Sequence, residues 1–547
     1  MSQGNPPKPP AEEPLIEPSK VPMALAGAFG LMFASSSFLG LLTVALPKLS
    51  ADLNGLALYS WAVSAPALTG AIATLIFGKL GDMYGRRVIA LFCMVLSTVS
   101  IAFLGFAQTM EQWIIARAIL GVGIGAAWPL AFALIGDIFG PINRSKWGGL
   151  LNIASAIPAL IAPTIGGILI DGLGWRYIFY ILTPIMLIGL ALLYLGTPAT
   201  NKRASHTIDY VGAGMLILAM STMLFGFSWG GTLYPWDSPI IIGLLSGSVV
   251  VWAIFIWYER RVPEPMLSPD ILTNRVFMTA SIAGMAAMMG LQAIVVYLPL
   301  MMQGVQNLSG ALSGQAMTPY QVIMRVMGIF AGLAMARWKK YKWMYLVCYT
   351  LLVIGVFAQS LLEPDTPVIF DFFVTTVCGL GLGTIPMVST LVCQNSLPKR
   401  MIGQATSGMY FLVFIGQTMA PAILGAVVTA KYLTVLKTSL PTAAGQVLDK
   451  ATLASLDNPR ILLNAGAMTA LQKTFTAVGA NGQAVFDQTV IAVRTALQQG
   501  LYDVFIAGTI GCMISLLLII TIPEIPLADA AEKKQMSEVR RPREFVG

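Results

Sequence analysis

Residues 58–108 read LYSWAVSAPALTGAIATLIFGKLGDMYGRRVIALFCMVLSTVSIAFLGFAQ. Two apolar runs, 58–79 and 88–108, flank a short stretch holding Lys79, Asp82, Arg86 and Arg87. Each run is close to the ~20 residues that an α-helix needs to cross a bilayer. Neither alternates apolar and polar residues, as the strands of a membrane barrel do, so helices must satisfy the backbone within the lipid. The same pattern continues along the chain, with apolar runs at 23–47, 112–136, 148–170, 177–196, 210–229, 239–258, 276–301, 316–336, 343–362, 367–392, 404–429 and 499–522. With the first pair these make fourteen predicted spans. Composition agrees. Of 547 residues 56% are hydrophobic and only 11% charged, where a soluble domain carries about 25% charged residues. The fold class expected is an all-α membrane protein.

Basic residues in alternate loops test the count. One side of the membrane receives Lys79, Arg86 and Arg87, then Arg144 and Lys146, Lys202 and Arg203, and Arg260, Arg261 and Arg275. It continues with Arg337, Lys339, Lys340 and Lys342, then Lys399 and Arg400, and a tail holding Lys533, Lys534, Arg540, Arg541 and Arg543. The short loops opposite contain only Lys48 and Arg176. An even number of spans with both termini cytoplasmic follows, in a multi-pass protein of the cell membrane. One outer loop, 430–498, is long and polar and is interrupted by Asn458-Pro459; stretches such as Thr442–Leu456 and Ala465–Val478 have helical composition. It could cap the outer mouth, but the plainer reading is inert packing.

Several function classes lack their parts. Cys93, Cys348, Cys378, Cys393 and Cys512 lie in or beside apolar runs without metal-ligand spacing, and His206 is the only histidine. Neither a metal site nor a cofactor is expected, and an enzyme is the least favoured class. The net charge of +8 is accounted for by topology, not nucleic acid. Residues 1–22 are rich in Pro and Glu with no signal-peptide pattern, and read as a disordered cytoplasmic tail.

An internal repeat organises the rest. Gly121-x-Gly123-x-Gly125 in the fourth run returns as Gly379-x-Gly381-x-Gly383 in the twelfth, 258 residues later. Pro158-x-x-x-Ala162-Pro163-x-x-x-Gly167 in the fifth returns as Gly416-x-x-x-Ala420-Pro421-x-x-x-Gly425 in the thirteenth, at the same offset of 258. Two matches at one offset indicate related halves, 23–196 and 276–522, with 197–275 an insertion of two helices and their linkers and 523–547 a cytoplasmic tail.

The hairpin Gly78-Lys79-Leu80-Gly81-Asp82-Met83-Tyr84-Gly85-Arg86-Arg87 combines glycines for a tight turn with an aspartate. That aspartate can sit at a helix N-terminus or pair with a base. Its spacing resembles the signature loop between helices 2 and 3 of the major facilitator superfamily, although Met83 stands where the family usually has a basic residue. The resemblance implies two six-helix halves with substrate bound between them at mid-depth. Arg117-x-x-x-Gly121-x-Gly123-x-Gly125 resembles the arginine–glycine motif of the drug:proton antiporters, whose arginine helps proton movement; alternatively Arg117 snorkels to the surface. Pro158, Ala162, Pro163, Gly166 and Gly167 resemble the antiporter motif G-x-x-x-G-P-x-x-G-G with two glycines replaced by other small residues. Asp209-Tyr210-Val211-Gly212 opening the seventh run and the insertion before the second half resemble the fourteen-span, quaternary-ammonium-resistance branch.

One departure matters. That branch has an aspartate in the first span where this chain has Phe38. The acidic residue well inside an apolar run is Asp371, while Arg325 lies near the middle of the tenth run, the costliest depth for a charge. The resemblance implies proton-coupled efflux of small amphipathic or hydrophobic compounds by a monomer, with protons, substrate and the bilayer as its partners. Asp371 and Arg117 are the candidates for proton coupling. Arg325 is the candidate for cavity charge: it favours neutral or anionic compounds if it faces the cavity, and leaves the cavity neutral if it pairs with Asp371 or backbone carbonyls. The alternatives are a transporter of a specific anionic metabolite or lipid, or a transport-dead receptor.

Overall fold

The computed structural model describes residues 17–53, 59–139, 141–197, 209–231, 233–262, 268–338, 340–398, 401–441, 465–476 and 482–524, with isolated positions between 442 and 464. Fourteen long helices account for most of these. They are α1 (Val21–Asp52), α2 (Tyr59–Tyr84), α3 (Arg86–Phe106), α4 (Met110–Ile138), α5 (Pro141–Gly172), α6 (Arg176–Gly196), α7 (Tyr210–Trp229) and α8 (Pro239–Glu259). Next come α9 (Arg275–Val305), α10 (Gly310–Trp338), α11 (Lys342–Gln359), α12 (Val368–Asn395), α13 (Ile402–Ser439) and α14 (Gly482–Ile520). Among the described residues ten are long and apolar enough to cross a membrane; α1, α2, α5 and α10 have 32, 26, 32 and 29 residues.

Local chemistry sets where helices begin. The side chains of Thr109, Asp209, Ser238 and Asn274 accept from the backbone N–H of Gln112, Gly212, Ile241 and Phe277, capping α4, α7, α8 and α9. Gly85, at φ 95°, separates α2 from α3. The C-terminal part of α9 widens into π-helical turns at Ala293–Tyr297 and Met301–Val305, a local loosening that often accompanies function. In α12 the ladder is interrupted between Leu382 and Ile385.

Packing reproduces the repeat. In the first half α1 packs on α5 and α6, α2 on α4, and α3 on α4 and α6. In the second, α9 packs on α13 and α14, α10 on α12, and α11 on α12 and α14. The pairings are the same with each helix number raised by eight. The contacts between halves are reciprocal as well: α2 meets α13, and α5 meets α10. The inserted α7 and α8 pack on each other, with the Ser248 hydroxyl donating to the Ala219 carbonyl at 2.9 Å. They lie against the α2–α13 contact through Ala71, Leu75, Leu216, Met220, Phe255, Phe411 and Ile415.

The predicted outer segment 430–498 is partly helical, because α13 runs on to Ser439 and α14 begins at Gly482. The drop in hydropathy near residue 430 therefore does not end the helix. Tyr432 and Leu436 on α13, and Val493, Ala496 and Leu497 on α14, stay buried, so the pair keeps a packed seam beyond the apolar runs. A helix at Ala465–Thr476 packs on α14, where Phe475 is buried 6.1 Å from the Phe486 ring. The Tyr432 hydroxyl donates to the Leu456 carbonyl at 2.6 Å. The segment is thus tied to the helix ends. Most of Thr442–Leu456 and the Asn458-Pro459 break lie outside the described residues.

Candidate functional site

The α2–α3 hairpin is built by glycine and arginine. Gly85 needs its positive φ of 95°, which side chains with a Cβ rarely adopt. Arg86 is buried and donates to the Ala133 carbonyl and to Asp137, both at 2.6 Å, fastening α3 to the end of α4. Arg87 donates to the Tyr194 carbonyl at 2.8 Å and lies 5.5 Å from that ring. Gly78 faces the other half, since a Cβ there would run into the Ser407 side chain of α13. The side chain of Asp82 lies outside the described residues. Gly85→Ala is expected to lower stability by about 1–3 kcal/mol without removing any contact. Thermal unfolding of the purified protein checks this, and an unchanged midpoint would contradict the strained turn.

The halves meet at this basic end. Buried Arg144 at the start of α5 donates to the Gln394 side-chain oxygen at 3.3 Å, and the Gln394 amide donates to Thr406 at 2.8 Å. Phe132 of α4 stacks on Tyr410 of α13 at 6.2 Å. A Cβ on Gly149 of α5 would lie 2.9 Å from Gly332 Cα and 3.1 Å from the Gly328 carbonyl of α10. Sequence reasoning treated Arg144 only as a topology marker and missed Asp137 and Gln394. The available signal was a polar side chain just past a span end.

The glycine triplets work alike in both halves. Gly121 and Gly125 let α4 close on Pro66, Thr69 and Gly70 of α2, while Gly123 faces Cys93 and Ser97 of α3. Gly379 and Gly383 let α12 close on Tyr320, Ile323, Met324 and Met327 of α10, while Gly381 faces Leu352 of α11. Thr69 and Thr74 donate to the Ala118 and Gly125 carbonyls at 2.6 and 2.8 Å; Thr375 donates to the Ala316 carbonyl at 2.8 Å.

Arg117 lies two turns into α4 with its guanidinium 5.0 Å from the buried Trp113 ring, a cation–π contact. Asp371, in the first turn of α12, is fully buried; the Gln306 amide donates to one carboxylate oxygen at 3.5 Å, and the other oxygen has no hydrogen-bond partner among the described residues. At the repeat offset of 258, Asp371 corresponds to Trp113 and Thr375 to Arg117. The two candidates thus occupy neighbouring positions of equivalent helices, one in each half. Asp371 stands beside the end of α9 and can accept a proton on its open oxygen. Arg325, half-buried, forms no ion pair with Asp371 and no hydrogen bond among the described residues.

In α5, Pro158 is buried, and the side chains of Ala162 and Pro163, with Gly166 and Gly167, lie outside the described residues. The equivalent stretch of α13 is described. Gly416 abuts the Met285 carbonyl of α9, and the Tyr297 hydroxyl donates to the Pro421 carbonyl at 3.0 Å. Small residues there serve close helix packing.

Comparison with known proteins matches this architecture. A family model described as Major Facilitator Superfamily matches residues 28–421. "Multidrug transporter protein MdtP" of Bacillus subtilis (strain 168) is 28% identical over 530 residues, 95% of this chain and 96% of its own length. "Multidrug resistance protein 3" of the same organism is 31% identical over 390 residues, 71% of this chain and 76% of its own. Among solved structures, the proton:xylose symporter XylE superposes with a TM-score of 0.55 at 14% identity, over 94% of this chain and 98% of that one. At that identity the likeness is one of fold.

Proposed function

The chain belongs to the major facilitator superfamily of membrane transporters, and on that premise we propose that it is a proton-coupled exporter of small amphipathic or hydrophobic compounds. It carries fourteen spans, and its halves, 23–196 and 276–522, rock against each other around a central site. The inserted pair within 197–275 braces the α2–α13 side. Both termini are cytoplasmic, the protein lies in the cell membrane, and it acts as a monomer. The observation that carries this reading is the reciprocal pair of contacts between halves, α2 with α13 and α5 with α10. A bistable seam of this kind can open at one end as it closes at the other. The Arg144–Gln394 link and the Gly78–Ser407 approach support closure at the basic end in this conformation. Relatives named for multidrug transport and resistance support efflux over uptake.

Asp371 takes up the proton and Arg117 tunes it. Asp82, Gly78, Gly85, Arg86 and Arg87 hold the conformational loop. Pro158, Ala162, Pro163, Gly166 and Gly167 form the antiporter-type motif of α5. Expression in a host stripped of its own pumps is expected to raise resistance to, and lower accumulation of, at least one class in a panel of cationic, neutral and anionic amphiphiles. Unchanged accumulation of every compound despite normal membrane insertion would sink the efflux reading.

A further inference from the structure

Arg325 lies in the middle of α10, and no ion pair compensates its charge among the described residues. It shares a helical face with Gly328, Ile329 and Gly332, which follow at three, four and seven residues. Those three residues are the ones that meet Gly149 of α5 across the seam, with a Cβ on Gly149 falling 3.1 Å from the Gly328 carbonyl and 3.2 Å from that of Ile329. The arginine therefore stands on the face turned to the other half, about one turn outward of the point where the halves touch.

Among the described residues no acid forms an ion pair with it. The hydrogen bond from Thr375 to the Ala316 carbonyl fixes the register of α12 on α10. Asp371 lies one turn outward of Thr375, and Ala316 is nine residues before Arg325, roughly 13 Å along a helix rising 1.5 Å per residue. The neighbouring stretches 145–170 of α5, 372–395 of α12 and 402–429 of α13 contain no Asp or Glu, and neither does α10 itself. A cation at mid-depth costs several kcal/mol unless water or an anion meets it. Among the described residues, its electrostatic neighbour is the Tyr320 phenol.

From this placement we infer that Arg325 is the anchor of an anion-binding subsite at the seam between the halves, and that the exported compounds include amphiphiles bearing one carboxylate or a similar oxyanion. The guanidinium fork matches a carboxylate's two oxygens, and the apolar helices around it suit the remainder of such a molecule. The inference rests on the efflux reading for transport, but binding stands apart from it.

The test uses a naphthalene carboxylate, its methyl ester and the matching aminomethyl cation. Binding to the purified full-length protein is followed by quenching of tryptophan fluorescence, and efflux is followed in cells. The wild type should bind the carboxylate more tightly than the cation. Arg325→Gln should weaken carboxylate binding about tenfold or more, the loss expected for a hydrogen bond to a charged group, and leave the ester within about twofold. Arg325→Lys should restore part of the difference, since charge remains without the fork. Equal carboxylate binding in wild type and Arg325→Gln would overturn the subsite whatever transport shows. Binding that behaves as expected with no efflux of any probe would keep the subsite and sink the exporter.

Discussion

Gly125→Leu is expected to yield almost no folded protein. A Cβ at Gly125 would strike the carbonyl oxygen and Cα of Gly70, with the carbonyl carbon at 2.6 Å. All three are backbone atoms, so no rotamer change relieves the clash and α2 must leave α4. The hydrogen bond from Thr74 to the Gly125 carbonyl at 2.8 Å goes with it. Overpacking within a core usually costs about 1–3 kcal/mol; forcing two backbones apart exceeds that, against a total stability of roughly 5–15 kcal/mol. Gly214→Leu is the matched control, because nothing lies within 4 Å of a Cβ there. Size-exclusion profiles of tagged variants in detergent check both. A monodisperse Gly125→Leu at normal yield would show that the glycine row does not set the α2–α4 distance.

Asp371→Asn is expected to abolish gradient-driven transport, by about 100-fold or more, while leaving folding and substrate exchange intact. Asparagine keeps the shape and can still accept from the Gln306 amide, which now lies 3.5 Å from the carboxylate. What it loses is the capacity to gain and release a proton. The position suits such a role: the carboxylate is fully buried, one oxygen lacks a partner among the described residues, and the N-terminal turn of α12 favours negative charge. Counterflow of labelled substrate between equal pools needs no net proton movement and should persist. Loss of counterflow together with driven transport would assign Asp371 to structure or substrate binding. Unaltered driven transport would remove it from coupling.

How far sequence reasoning reached depended on whether the physics was local. Span positions follow from apolar runs, so α3, α6, α7 and α8 fall within a few residues of the predicted 88–108, 177–196, 210–229 and 239–258. The repeat was readable because glycine has a spatial meaning: Gly121 and Gly379 serve equivalent approaches, of α4 to α2 and of α12 to α10. The ends of α13 and α14 were not readable from hydropathy. Hydropathy falls at residue 430, yet the α13–α14 seam continues through Tyr432, Leu436 and Val493.

The site divides in the same way. Arg86, Arg87 and Gly85 could be found because their spacing along one turn is itself the motif. The partners Asp137, Tyr194, Gln394 and Ser407 could not, since each lies on a helix distant in sequence. Arg144 and Gln394 are 250 residues apart, and nothing in a single chain announces that pairing. Arg325 shows the middle case. Its cost at mid-depth was evident from the sequence, but only the register of α10 on α5 places it on the face turned to the other half.

Proton coupling is tested most directly in sealed proteoliposomes loaded with a pH-sensitive dye. A substrate found in the efflux screen is held inside the vesicles at high concentration, with no pH difference imposed. Its exit down its own gradient should draw protons inward and acidify the lumen. The signal should vanish with a protonophore and in Asp371→Asn. Substrate leaving at the same rate with no change in luminal pH would contradict coupling and leave a uniporter in its place.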